Sequence, residues 1–160
     1  MVVQNKSFPV AIVMEKRPPV NPWATAYWKA VDVIVGTQSV QEPLLMQRQG
    51  DVEQYLFPGF QVSLHEDECE SYYHNLKAPN PSCYIIANKA EDGTPIPFLV
   101  SLSFDEAHAY LEGEGEVYAV AIPPELYVWT EAYVLDHYFP EKKYKRKLND
   151  WKKDGGNIRG

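Results

Sequence analysis

Hydrophobic and polar residues change their spacing once near the middle of this chain. Over residues 60–64 the apolar side chains Phe60, Val62 and Leu64 alternate with polar ones, the period of a half-buried strand. Beyond them Cys69, Tyr72, Tyr73 and Leu76 recur three and four apart, the period of an amphipathic helix. Ser63 with Glu66 three residues on predicts a capping box at the helix start, and Glu66, Asp67 and Glu68 put negative charge where unpaired N–H groups favour it. Ala78-Pro79-Asn80-Pro81 cannot continue a helix, and it leads into the apolar run 83–87. The pattern therefore predicts a β-α-β core around residues 60–87.

The flanking segments read in the same way. Residues 8–15 are rich in Val and Ile with little alternation, as an interior strand requires, and stop before Arg17-Pro18-Pro19. An irregular stretch holding Trp23 and Trp28 feeds a strand over 29–35 that ends at Gly36. Strands are expected over 43–49 and 54–64, the second interrupted by a bulge or hairpin corner at Pro58-Gly59. A hairpin connection at 90–95 joins 83–87 to an antiparallel strand over 97–103. Ser103 with Glu106 caps a short helix carrying Ala107, Tyr110 and Leu111, and a strand follows over 116–122. Pro124 then stands at the first position of a longer helix reaching about Phe139, with Val128, Ala132, Leu135 and Phe139 as one apolar stripe and Leu126, Trp129 and Tyr133 widening it. The expected fold is α+β, a curved, mainly antiparallel sheet of about six or seven strands with three helices.

Composition and charge sharpen this picture. In a chain of 160 residues, 45% apolar and 13% aromatic content is enough for one hydrophobic core, and a single domain over 1–140 is expected. No apolar run approaches the roughly 20 residues needed to span a bilayer, so no transmembrane segment is expected. Residues 8–17 lack a small-residue cleavage site, which points to a strand in place of a signal peptide and to a cytoplasmic protein. Cys69 and Cys83 are expected as buried free thiols. Residues 1–140 hold 7 Lys and Arg against 19 Asp and Glu, whereas residues 141–160 hold 8 against 3. An acidic body argues against sequence-specific nucleic-acid binding, which relies on a basic face. The basic C-terminal tail carries Tyr144, Leu148 and Trp151 at helical spacing and reads as a docking element.

Chemistry-bearing motifs are sparse. The chain has no glycine-rich phosphate loop, no nucleophile elbow and no Cys-x-x-Cys, so no catalytic residue and no cofactor is assigned. His65, Glu66, Glu68, Cys69, Glu70 and His74 contain two pairs at ligand spacing, His65 with Cys69 and Glu70 with His74, but the pairs fall on different helix faces and no metal site is assigned. His108 and His137 lack a Ser, Cys or Asp partner in sequence.

Four stretches carry a family resemblance: residues 8–17, Asn21-Pro22-Trp23-Ala24 with Trp28, Leu64-His65 with Glu68, Tyr72, Asn75 and Leu76, and Pro81-Ser82 with Tyr84. Together they resemble an uncharacterised bacterial domain family of unknown function that is encoded beside formate dehydrogenase and molybdenum-cofactor genes. The resemblance implies a non-enzymatic accessory protein that interacts with a redox metalloenzyme or its maturation factor. Carried onto this chain, it places Trp23, Trp28, Glu68, Tyr72 and Asn75 at a ligand- or partner-binding site. The alternative is a small-molecule or nucleotide-binding domain with a pocket beside the 64–76 helix. For Glu68, Tyr72 and Asn75 the structural reading is a hydrogen-bond set that fixes the helix on the sheet.

Overall fold

A computed structural model describes residues 7–113 and 115–138. The basic tail and Phe139 lie outside the described residues. Strands β1 (Ser7–Arg17), β2 (Tyr27–Val35), β3 (Leu44–Gln49) and β4 (Val52–Ser63) form one antiparallel sheet in the order β2-β1-β4-β3. A turn of 3-10 helix (Glu66–Glu68) and helix α1 (Cys69–Lys77) lead to a second antiparallel sheet, ordered β6-β5-β7, of strands β5 (Ser82–Lys89), β6 (Pro95–Ser101) and β7 (Glu116–Ala121). Helix α2 (Phe104–Leu111) joins β6 to β7, and helix α3 (Pro124–His137) follows. The fold is the expected α+β class, with seven antiparallel strands and three α-helices among the described residues. The strands make two sheets where one curved sheet was expected. β2 lies beside β7 and β6 beside β4, so the two sheets wrap the core without closing into a barrel.

The expected β-α-β succession is present as β4, α1 and β5, but its two strands lie in different sheets. β4 is already hydrogen-bonded on one side to β1 and on the other to β3, so β5 has no free edge of β4 to pair with and instead founds the second sheet. The strand interior behaves as its composition requires. β1 is central, and the unbroken burial of Val10, Ala11, Ile12, Val13, Met14 and Glu15 explains why its sequence shows no alternation. Val10, Ile12 and Met14 enter the main core with Val33, Val62, Cys83, Ile85, Val100, Tyr72 and Leu126. Ala11 and Val13 join Leu56 in a smaller cluster. Pro58-Gly59 is a bulge, with Gly59 at φ 89° and the β1–β4 register slipping opposite it.

Helix boundaries divide the capping expectations. Ser63 ends β4, with its Oγ 3.4 Å from Ser7 Oγ, and caps nothing; the helical turn starts after His65, which makes no side-chain cap. Ser103 does cap α2, its Oγ accepting from the Glu106 N–H at 3.0 Å. The reciprocal arm of the box is relayed. The Ser103 N–H donates to Ser101 Oγ, and the Ser101 hydroxyl donates to Glu106 Oε1 at 2.5 Å. In α3 the apolar stripe is turned from its expected direction: Leu126, Thr130, Tyr133 and Val134 are buried, while Val128 is 63% and Leu135 72% exposed.

Both cysteines are buried free thiols. Burial pushes the Cys69 thiol up to about 11, helped by the negative Glu66 and Asp67, and burial with Asp32 nearby pushes Cys83 up to about 12. Since the thiolate is the nucleophile, both should resist a disulfide reagent at pH 8 in the native protein and react at once in denaturant. Colorimetric thiol counting with and without guanidinium checks this, and rapid native labelling of either residue would refute it.

Candidate functional site

The polar face of α1 is built from residues three, four and seven apart, Glu68, Ser71, Tyr72 and Asn75, so all four rise on one side of the helix. Each is engaged. Glu68 Oε1 accepts from the Ser103 hydroxyl at 2.5 Å, and Ser71 Oγ accepts from the Asp105 N–H at 3.3 Å. Tyr72 Oη accepts from the His65 N–H at 3.0 Å, and burial raises its phenol above the ordinary range. Asn75 Nδ2 donates to the carbonyls of Ser82 and Leu102 at 2.8 and 3.0 Å, and its Oδ1 accepts from the Ser82 N–H at 3.0 Å. The face is a seam that sews α1 to the start of β5 and to the segment between β6 and α2. Low surrounding dielectric strengthens these bonds and makes each one costly to lose.

Beside this seam runs a groove of about 450 Å³ lined by Ser71, His74, Asn75, Tyr84, Phe104 and Asp105 among others. Its floor is aromatic, the Tyr84 and Phe104 rings meeting edge to face at 5.9 Å. His74 Nε2 lies 3.7 Å from Glu70 Oε2, both side chains well exposed. Burial raises the Tyr84 phenol. Among the described residues no serine hydroxyl or cysteine thiol hydrogen-bonds a histidine ring. The groove can therefore hold a ligand by stacking and hydrogen bonds, but it contains no paired nucleophile and base.

Of the five residues singled out from sequence, Tyr72 and Asn75 stand on α1 with Glu68 at its N-cap, and Asn75 lines the groove. The tryptophans stand apart from it. Trp23 is 88% exposed on a turn whose Asn21 Oδ1 accepts from the Trp23 and Ala24 N–H groups. Trp28 packs on the main core from β2, its ring 5.6 Å from that of Tyr55. Sequence reasoning missed Ser71, Ser101, Ser103 as a partner of Glu68, Tyr84, Phe104 and Asp105. Ser71 was legible from its position three after Glu68; the others reach the site only through the pairing of β5 with β6. The proposed ligand pairs separate as expected, His65 serving Cys69 through its carbonyl and His74 facing Glu70, while His137 lies 3.8 Å from Glu66. Among the described residues no group of three or more His, Cys, Asp or Glu side chains is placed to hold a metal ion.

Fold and site together define a two-sheet, antiparallel α+β protein with a hydrogen-bonded helix seam and an adjoining polar groove. Residues 9–147 match the family described as "Protein of unknown function (DUF3305)", and the chain belongs to that family. No curated protein and no solved structure matches the chain. Membership bears out the resemblance to an uncharacterised domain family. No helix among the described residues is long and apolar enough to cross a membrane.

Proposed function

We propose that the protein is a non-enzymatic interaction protein serving the assembly or regulation of a molybdenum-dependent redox enzyme such as formate dehydrogenase. The observation that carries the interaction reading is β3. Among the described residues it is an edge strand, paired with β4 alone, and every one of its residues is exposed, including Leu44 at 37%, Leu45 at 40% and Met46 at 46%. Unpaired N–H and C=O groups beside exposed apolar side chains form a template for strand addition by a partner, on a strand whose register shifts at Met46. The identity of the partner rests on the resemblance of residues 8–17, Trp23, Trp28, Glu68, Tyr72 and Asn75 to the accessory family. A second reading, a small-molecule or nucleotide-binding domain, is favoured by the polar groove beside α1.

One experiment separates the two. A tagged full chain from native cells should bring down a molybdoenzyme subunit or maturation factor, and Leu44→Lys with Met46→Lys should abolish that capture while thermal unfolding stays within a few degrees of wild type. Capture that survives the β3 changes but is lost with His74→Ala and Asp105→Ala would move the binding site to the groove. No molybdoenzyme component in the eluate at mild salt would sink the accessory role.

A further inference from the structure

The described residues carry six Lys and Arg against eighteen Asp and Glu, so any gathering of cations runs against the charge of the body. Three of the six, Lys16, Arg17 and Arg48, line one groove of about 500 Å³ at the open end of the four-stranded sheet. Register places Lys16 and Arg48 there, and Arg17 comes to the groove as the last residue of β1. Trp28, Lys16, Glu53 and Arg48 stand directly opposite one another across β2, β1, β4 and β3, so Lys16 and Arg48 flank Glu53 from either side. Pro18 and Pro19 and the two-residue turn Gly50-Asp51, with Gly50 at φ 62°, complete the walls from stiff or tightly turned backbone.

The acids nearby are largely spoken for. Glu53 Oε2 accepts from Arg48 Nη2 at 2.6 Å and its Oε1 from the Tyr55 hydroxyl at 2.7 Å. Glu15, buried, takes Arg17 Nε at 2.6 Å together with Gln54 and Lys29. Asp92, close enough for its charge to feel Lys16, accepts from the Thr94 N–H. Asp51 is the other acid in the lining. Each carboxylate bond uses one of a guanidinium's five N–H donors. Lys16 makes no ion pair with a described residue, its Nζ lying 5.8 Å from the Trp28 ring centroid.

We propose that this groove binds a phosphate group, free or carried on a small organic molecule, on Lys16, Arg17 and Arg48. Lys16 and Arg48, held on one face by strand register, with Arg17 lining the groove at the end of β1, match an anion that bears close to two charges near neutral pH and several strong acceptor oxygens, and the guanidinium forks suit phosphate. A carboxylate, with one charge, would be satisfied by a single arginine. The paired strands fix the backbone from which these side chains rise, so binding has side chains alone to order. The groove is also roomier than a bare phosphate requires, which leaves space for an organic group.

The test uses the purified, isotope-labelled full chain, titrated separately with inorganic phosphate and with adenosine monophosphate at matched ionic strength. Saturable amide shifts should centre on Lys16, Arg17, Arg48, Gly50 and Asp51. Lys16→Met, which keeps an apolar stem beside Trp28, should weaken binding by about tenfold or more, the loss of one charge-assisted contact. Glu53→Gln, which removes a negative charge from the lining, should tighten it. Tighter binding of the monophosphate assigns a carried phosphate, and equal binding assigns free phosphate. The proposal is overturned if neither ligand gives saturable shifts, if the shifts map to another surface, or if a folded Lys16→Met protein binds as wild type does.

Discussion

Replacing Asn75 with leucine should destabilise the protein by about 3 to 5 kcal/mol, although the two side chains are close in size. Asn75 is 6% exposed and holds three backbone groups, the N–H and C=O of Ser82 and the C=O of Leu102. Leucine would leave all three without this partner, the Leu102 carbonyl in the buried interior and the two Ser82 groups in a part-buried one, at about 1 to 3 kcal/mol for each unsatisfied buried group. The loss also propagates, because Ser82 opens β5 and Leu102 links β6 to α2, so the bonds tie α1 to both strands at once. For a chain of this size the change corresponds to a fall in melting temperature of about 10 °C. Urea unfolding with an unchanged slope is the measurement. A loss under about 1 kcal/mol would show that the seam is dispensable.

Truncating Leu126 to alanine should cost about 3 to 4 kcal/mol, while Leu135→Ala nine residues on in the same helix should cost less than about 0.5 kcal/mol. Leu126 is fully buried in the main core, and Leu135 is 72% exposed. Apolar spacing alone put Leu135 in the α3 stripe that Leu126 widens, so the pair of variants asks which face of the helix meets the core. Parallel denaturant titrations decide it. Equal effects would place the expected stripe, and not the observed face, against the core.

The misreading of α3 has a physical origin. Leu126, Tyr127, Val128, Trp129, Tyr133, Val134 and Leu135 surround the helix with large apolar groups, so spacing offers no single polar side to turn outward. Only packing against α1 and the main core selects the 126-130-133-134 face and leaves room inside it for the Thr130 hydroxyl, which donates to the Leu126 carbonyl at 2.8 Å. The Ser63 cap failed for a related reason. Ser63 is held in extended backbone as the last residue of β4, paired with Ser7, and the chain needs two further residues before it can turn.

Local chemistry determined much of the molecule. Proline, glycine, continuous apolar runs and the two-residue period placed all seven strands within a few residues, the Pro58-Gly59 bulge, the Ser103 cap and the Pro124 start of α3, because each depends on neighbours in sequence. Helical spacing likewise gathered Glu68, Tyr72 and Asn75 on one face. What those residues touch was decided only in three dimensions. Whether β5 joins β4 or starts a new sheet depends on which strand edges are already hydrogen-bonded, and whether Lys16 and Arg48 share a groove depends on the register of β1 on the distant β3–β4 hairpin. No local pattern carries either piece of information, since a strand's side chains record which face is buried but not which strand lies beside it.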